Sequence, residues 1–192
     1  MPPQTGELKL RSSLAIVPLL LGMLLLSGCG GGDAESAGVE IQTGPLRVSA
    51  RGIAPYEESG GDNSIEAYGH EASHAELEQA ATTVHEYLVA RVAKDWADAC
   101  SLSSAYLRRH IYELVTPRKP TSCATVFKTL APGEPPIADT TREATEVDAD
   151  SLRVAGDTGF LFFNAKTDGH KLIVVRDDGV WKPAGLLPTP LH

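Results

Sequence analysis

The sequence predicts an α+β fold in which N-terminal helices pack on a curved antiparallel sheet of four strands. Between residues 73 and 130, apolar residues recur at helical spacing in four successive segments. Beyond that region the apolar period changes to two, and Asp-Gly pairs separate the apolar runs, which is a strong hairpin signal. Helices that precede strands, rather than alternate with them, are typical of α+β architecture.

These patterns divide the chain into three parts: a leader over residues 1–28, a linker over residues 29–72, and one globular domain over residues 73–192. The length of 192 residues suits one domain with a tail.

The chain is acidic overall. Removing the leader takes away Lys9, Arg11 and Glu7, so the net charge changes from −8 to about −9. Nucleic acids and anionic membranes attract clustered Lys and Arg side chains, so an acidic chain argues against both. We therefore expect no nucleic-acid partner.

The leader has the layout of a secretory signal. A weakly positive start precedes Leu14–Leu26, an almost wholly apolar run of 13 residues. A helix needs about 20 residues to cross a bilayer, so this run is too short to span one. A charged start, a short apolar core and small residues at its end are typical of export signals.

The end of the leader, Leu26-Ser27-Gly28-Cys29, resembles the lipobox of bacterial lipoproteins. The resemblance implies that a diacylglyceryl group is attached to the Cys29 thiol and that cleavage leaves Cys29 as the first residue. Stable anchoring takes two acyl chains, which such a group supplies. We therefore expect a protein anchored by lipid on the extracytoplasmic face of the cell membrane. The alternative is a secreted or uncleaved chain in which Cys29 has no such role.

The linker reads as a flexible tether. Gly30–Gly38 contains only small, polar and acidic residues, a composition that does not bury. Val39–Ile41 and Leu46–Val48 are brief apolar alternations, compatible with a weak strand, an edge hairpin or a loose segment. Ile65–Tyr68 is a candidate for docking on the domain.

Four helices are predicted in the first half of the domain. Ser73 and Glu76 form a capping box at the start of the first helix. The candidate N-cap is Asp95 for the second helix, Ser103 or Ser104 for the third, and Ser122 for the fourth. Their expected core residues are Leu77, Ala81, Val84, Leu88 and Val92, then Trp96, Ala99, Cys100 and Leu102, then Leu107, Ile111 and Leu114, and finally Cys123, Val126, Phe127 and Leu130.

The strands follow in the second half. Ala144–Val147 and Leu152–Val154 read as one bent strand or two, interrupted at Asp148 and Asp150, which we interpret as turn residues. Three further runs, separated by turns, are expected to complete the meander: Gly159–Asn164, Lys171–Arg176 and Val180–Leu187. Alternation makes both faces of the second strand apolar through Phe160, Leu161, Phe162 and Phe163, which favours a central strand or an additional contact surface.

Two segments resemble the nuclear-transport-factor-two-like (SnoaL-like) superfamily. Tyr87–Cys100 is similar to the corner between its first two helices, and Val174–Lys182 is similar to its final hairpin. The resemblance covers about residues 73–187 and implies a cone-like half-barrel with a cavity between helices and sheet. Enzymes of this superfamily use an Asp or His inside the cone as a general base. Ser103–Leu130 departs from the pattern, because the superfamily has an early hairpin where this chain predicts helices.

Cys100 and Cys123 remain once Cys29 is assigned to lipid. Paired thiols persist as disulfides in an exported protein, and closing this loop should stabilise the fold by about 3 kcal/mol. The rival interpretations are a free catalytic thiol and a metal pair, and neither has a set of histidines at metal spacing nearby. We therefore predict a disulfide.

His85 is the weak catalytic candidate of the sequence. It lies beside Val84 on the apolar face of the first helix, so the plainer interpretation is a histidine at the boundary of the core. His70 and His74 have the spacing of metal ligands, but no third ligand accompanies them, and we predict no metal. No cofactor motif is present, and we predict no cofactor.

Two surface features remain as weaker candidates. Tyr106, His110 and Tyr112 could rim a pocket, whereas we interpret Arg118 and Lys119 as a solvated basic loop.

We predict a non-catalytic domain that binds an envelope protein or a small apolar ligand. The alternatives are an enzyme of the isomerase or dehydratase kind, with an acid/base residue inside the cone, and an accessory domain that supports a neighbouring envelope protein.

Overall fold

The computed structural model describes residues 41–115, 122–130 and 138–191, with the side chains of 138–141 excepted. The described residues all belong to one compact unit, Val39–His192. The predicted leader and Cys29 lie outside the described residues. No helix among those described is long and apolar enough to cross a membrane.

The described residues form an α+β fold with a curled mixed sheet shaped as a half-barrel. The helices are α1 (His74–Val92), α2 (Trp96–Leu102), α3 (Ala105–Leu114), α4 (Cys123–Leu130) and α5 (Ala138–Thr145). The strands are β1 (Leu46–Val48), β2 (His70–Glu71), β3 (Val147–Ala155), β4 (Thr158–Ala165), β5 (Asp168–Asp177), β6 (Val180–Pro183) and β7 (Thr189–Pro190).

The helix starts follow the capping residues that the sequence predicted. Ser73 and Glu76 form the capping box of α1. The side chains of Asp95 and Ser104 accept from backbone N–H groups in the first turns of α2 and α3, and Ser122 does the same for α4. These contacts satisfy N–H groups that have no partner within the helix.

The sheet has more strands than predicted and is not purely antiparallel. Strands β3, β4, β5 and β6 form the expected antiparallel meander, but β1 pairs with β3 in parallel, β2 also pairs with β3, and β7 pairs with β5. The prediction of a four-stranded antiparallel sheet was therefore wrong in strand count and in direction for one pair. β1 coincides with the Leu46–Val48 alternation, for which a weak strand was one of the expected outcomes, whereas β2 and β7 are two residues long, too short to leave a periodic signal.

The hydrophobic core lies between the helices and one face of the sheet. Leu114, which the sequence placed in this core, is instead 55% exposed at the end of α3. The largest fully buried residues of the core are Val84, Tyr87, Leu107, Ile111, Val126, Phe127, Leu152, Leu161, Phe163, Leu172 and Trp181.

The second face of the sheet is covered in part by the segment between β1 and β2, which the sequence had assigned to a flexible tether. The Tyr56 ring lies 5.4 Å from the Phe162 ring, and the Tyr68 ring packs edge-on at 5.0 Å from Phe160. Arg153 donates hydrogen bonds of 2.9 Å to the carbonyls of Tyr68 and Gly69. These segments cover Phe160 and Phe162, because an apolar face left in water costs free energy.

One helix was missed by the sequence analysis. Ala144 lies in α5, not in the strand predicted over Ala144–Val147, and β3 begins only at Val147. The end of α5 is fixed by Gly44, whose N–H donates to Thr145 Oγ1 at 2.6 Å. This contact joins residues 101 positions apart, so the local pattern could not reveal it.

Gln79 of α1 and Ser104, the N-cap of α3, form hydrogen bonds with the outer edge of β6. Trp181 N–H donates to Gln79 Oε1 at 2.8 Å, and Gln79 Nε2 donates to the Trp181 carbonyl at 3.4 Å. Ser104 N–H donates to the Pro183 carbonyl at 3.0 Å. An open edge invites another strand, and these contacts occupy it.

Candidate functional site

The most connected polar site is a group of side chains around Asp150, here called the Asp150 cluster: Arg51, Tyr56, Asp148, Asp150 and Asn164. Asp150 is 1% exposed and lies at the bulge in β3. It accepts hydrogen bonds from Arg51 Nε at 2.7 Å, Arg51 Nη2 at 2.9 Å, the Tyr56 hydroxyl at 2.6 Å and Asn164 Nδ2 at 2.8 Å. Both of its carboxylate oxygens are therefore occupied.

Asp148 forms the outer part of the cluster. It accepts from Ser49 Oγ at 2.6 Å and from Arg51 Nη2 at 3.3 Å. The prediction that Asp148 and Asp150 are turn residues was wrong, because both lie within the continuous strand β3. A strand tolerates a buried carboxylate here because a cation and neutral donors compensate it.

The ionisation states of Arg51 and Tyr56 favour a structural role for the Asp150 cluster. Hydrogen bonding to Asp150 raises the pKa of Arg51, so the guanidinium stays charged. Burial, followed by the hydrogen bond to Asp150, raises the pKa of the Tyr56 hydroxyl well above its usual range. Tyr56 therefore remains a neutral donor at physiological pH. The cluster fastens the segment at residues 51–56 to the sheet.

We expect stability to fall when the pH rises above 10. Burial raises the pKa of Tyr87 to about 12 and raises that of Tyr56 further, above an unfolded value of 10.0. Neutral tyrosine is favoured in the folded state, so this stabilisation is complete below pH 10 and is lost as the pH rises through the folded pKa values. Urea unfolding between pH 8 and pH 12, followed by circular dichroism, measures the loss.

The variant Tyr56→Phe is the control for this prediction. It lacks one of the two shifted hydroxyls, so its stability should decline less steeply above pH 10 than that of the unaltered protein. Absorbance at 295 nm would contradict the prediction if both buried tyrosines ionised near pH 10 while the fold was intact.

His85 contacts the main chain of the entering segment. Its Nε2 lies 2.9 Å from the Gly44 carbonyl oxygen, which only accepts, so this nitrogen carries the proton. His85 and Thr145 together hold Gly44 between α1 and α5. His85, the weak catalytic candidate from the sequence, thus makes a structural contact that positions Gly44.

The two histidines with metal spacing are not brought together at a metal site. His70 lies in β2, and His74 is the first residue of α1, where its Nε2 lies 3.2 Å from Glu78. Among the described residues, no group of three or more side chains is suited to hold a metal ion.

The predicted disulfide is present. Cys100 and Cys123 are joined and link α2 to α4. Arg118 and Lys119 lie between them, outside the described residues. On the neighbouring helix α3, Tyr106 is 49% exposed and its ring stacks on His110 at 6.2 Å, while Tyr112 is half-buried.

A surface cleft that the sequence analysis missed lies where the chain enters the fold. It encloses about 330 Å³ and is lined by Arg142, Glu143, Glu146 and Lys166. We call it the entry cleft. Lys166 Nζ lies 2.5 Å from Glu143, and Arg47 Nη1 lies 3.6 Å from Glu146. The lining residues come from α5, from the residue that follows it and from the turn between β4 and β5, and no motif spacing connects them.

Comparisons with protein-family models, with curated proteins and with solved structures found no match to this chain. The two resemblances drawn from the residues, to bacterial lipoproteins and to the SnoaL-like superfamily, therefore stay predictions. Function has to be argued from the residues and the contacts described above.

Proposed function

We propose that this chain is a lipid-anchored protein of the extracytoplasmic membrane face, and that its domain binds a ligand or partner protein without catalysis. The proposed localisation rests on the sequence, where a short apolar run ends in Leu26-Ser27-Gly28-Cys29. The Cys100–Cys123 disulfide supports it, because such bonds persist mainly in oxidising compartments.

The observation that carries the non-catalytic role is the engagement of the ionisable groups within the fold. Asp150 is 1% exposed and accepts hydrogen bonds from Arg51, Tyr56 and Asn164, and His85 Nε2 donates to the Gly44 carbonyl. A general base needs a free lone pair facing its substrate. Asp150 and the Nε2 of His85 join chain segments, and only Nδ1 of His85 keeps a lone pair, which favours recognition at the surface of the domain over catalysis.

The fold also supports the finer resemblance to the SnoaL-like superfamily, which we keep as part of the proposal. Helices precede the sheet, and β3 to β6 form a meander within a curled half-barrel. In this chain, however, large side chains such as Tyr87, Phe127 and Phe163 fill the space between helices and sheet. A packed interior favours binding at the surface over an internal reaction chamber.

The proposed localisation is tested by measuring whether lipid is attached to Cys29. Cells that express the chain with labelled palmitate should incorporate label into the protein, and the mature amino terminus should be Cys29 carrying a diacylglyceryl group by mass spectrometry. The variant Cys29→Ser should lose both the label and its membrane fraction. An unmodified Cys29 in an uncut, soluble chain would refute the proposal.

The binding role is tested by photo-crosslinking in intact envelopes. Probes are placed at the exposed Tyr106 of α3 and, as a control, at Asp178 in the turn before β6. We expect a discrete adduct with an envelope component from the Tyr106 probe and none from the Asp178 control. The enzyme alternative predicts instead that His85→Gln abolishes turnover of a carbonyl substrate while the free energy of unfolding stays unchanged. That result would overturn the non-catalytic proposal.

A further inference from the structure

We propose that the outward face of α3 binds a short acidic segment of a partner protein. This face consists of Tyr106, Arg109, His110, Glu113 and Leu114, all of them exposed, and we call it the α3 stripe. The inference rests on the binding role proposed above, and it adds the position of the binding surface and the chemistry of the partner. Three features carry it: the exposed apolar side chains of the stripe, its charge, and the firm attachment of α3 to the core.

Exposed apolar side chains stand at the two ends of the α3 stripe. Tyr106 is 49% exposed and Leu114 is 55% exposed, so two of the five exposed large apolar residues within the described part of the chain lie on this helix of ten residues. Residues four apart share one helical face, and Tyr106, His110 and Leu114 therefore form a row about 12 Å long. Apolar side chains that form a row in this way, unlike scattered ones, are typical of interaction surfaces.

The α3 stripe also presents a cation that the fold does not pair with a carboxylate. The exposed Arg109 guanidinium lies 6.0 Å from the centre of the Tyr106 ring, and no carboxylate of the described residues lies within ion-pair distance of it. Glu113, the acidic residue of the stripe, lies instead 3.9 Å from Nδ1 of His110. An anionic group can therefore approach Arg109 without displacing an existing ion pair.

The sequence around α3 differs in charge from the rest of the chain. The 22 residues between Cys100 and Cys123 contain four Arg or Lys and one Glu, a net charge of +3; because the whole chain carries −8, the other residues carry −11. A local excess of cations favours an anionic partner. An extended polyanion, such as a membrane surface or a nucleic acid, would also face the acidic remainder of the chain and be repelled by it. A short acidic segment that contacts α3 alone avoids this repulsion.

The inner face of α3 holds the stripe in position. Leu107 is 1% exposed and Ile111 is fully buried, and both belong to the hydrophobic core. Ser104 caps the first turn, and the Ala105 N–H donates to Asp177 at 2.8 Å. A surface that is ordered before binding loses little conformational entropy on binding. A helix of ten residues is about 15 Å long, which suits contact with a peptide-sized segment of the partner.

The experiment extends the photo-crosslinking of the full chain in intact envelopes to variants of the α3 stripe. The probe p-benzoylphenylalanine at Tyr106 keeps an aromatic ring in the stripe. Mass spectrometry of the crosslinked peptide then gives the sequence of the partner at the point of contact. We expect this peptide to come from a protein and to contain more Asp and Glu than Lys and Arg, with apolar residues beside the acidic ones.

The variants should change the adduct yield in both directions. Arg109→Gln removes the unpaired cation, and Leu114→Ala removes an apolar contact; each should lower the yield at least threefold. Glu113→Gln removes the carboxylate that repels an acidic partner, so it should raise the yield, which a loss of folding could not do. Arg47→Gln in β1 removes one positive charge outside α3 and should leave the yield unchanged. Thermal unfolding of each variant verifies that the fold is retained.

The outcomes distinguish failure of this inference from failure of the binding role. If the Tyr106 probe gives no adduct above the Asp178 control, both are refuted. A protein adduct whose yield is the same in Arg109→Gln and Glu113→Gln as in the unaltered chain refutes the acidic partner and leaves the binding role intact. An adduct with a lipid, or with a protein segment rich in Lys and Arg, likewise overturns the acidic partner.

Discussion

Asp150→Ala is expected to lower the free energy of unfolding by about 3 kcal/mol, because it removes the buried acceptor shared by the buried Tyr56, the half-buried Asn164 and the more exposed Arg51. Breaking a buried charged pair typically costs 3–5 kcal/mol, and partial exposure of its partner Arg51 places the effect at the lower end. The loss should be accompanied by detachment of residues 51–56 from the sheet. Urea denaturation measures the first effect, and trypsin cleavage after Arg51 measures the second.

Asp148→Ala is the matched control for that prediction. Asp148 stands two residues away on the same strand and also contacts Arg51, but at 3.3 Å and in a more exposed position. Exposed ion pairs contribute little, so this variant should lose no more than about 1 kcal/mol. Equal effects of the two substitutions would show that burial of Asp150 does not fasten this segment.

Removing the disulfide should lower the free energy of unfolding by a similar amount. The double variant Cys100→Ser and Cys123→Ser opens a link across a sequence separation of 23 residues. Chain entropy alone predicts a loss of about 3 kcal/mol, since the unfolded chain regains the freedom that the link had removed. Chemical denaturation of the oxidised protein and of the double variant measures the difference.

The reduced form of the unaltered protein provides the comparison for this second prediction. It should match the double variant in stability, and Cys29→Ser, which keeps the disulfide, should match the oxidised protein. A free-thiol assay on the folded, oxidised protein that finds reactive Cys100 or Cys123 would contradict the bond itself.

Local signals in the sequence predicted much of the fold. The caps at Ser73 and Asp95 depend on residues within one helical turn, and the hairpin turn at Asp178 and Gly179 needs only positive φ angles in adjacent residues. Such features are decided by neighbours in the chain. The prediction of helices followed by an antiparallel meander holds for this reason.

The candidate sites were harder to predict because they join distant segments. Arg51 meets Asp150 across 99 residues, and Gly44 meets Thr145 across 101. From the sequence, Asp150 looked like a turn residue, because nothing nearby could compensate its charge. The entry cleft was missed for the same reason, since α5 itself was not predicted. The two cysteines could be paired because each partner is the only choice left.

The pairing of β3 with two early strands has a consequence for the order in which the protein matures. β1 adds to the first half of β3 and β2 to its second half, so residues 46–71 obtain their sheet partners only after residue 155 is available. A chain exported amino end first would deliver β1 and β2 long before β3. Contacts this distant in sequence slow folding. Under the proposed export, sheet closure would therefore await almost complete translocation.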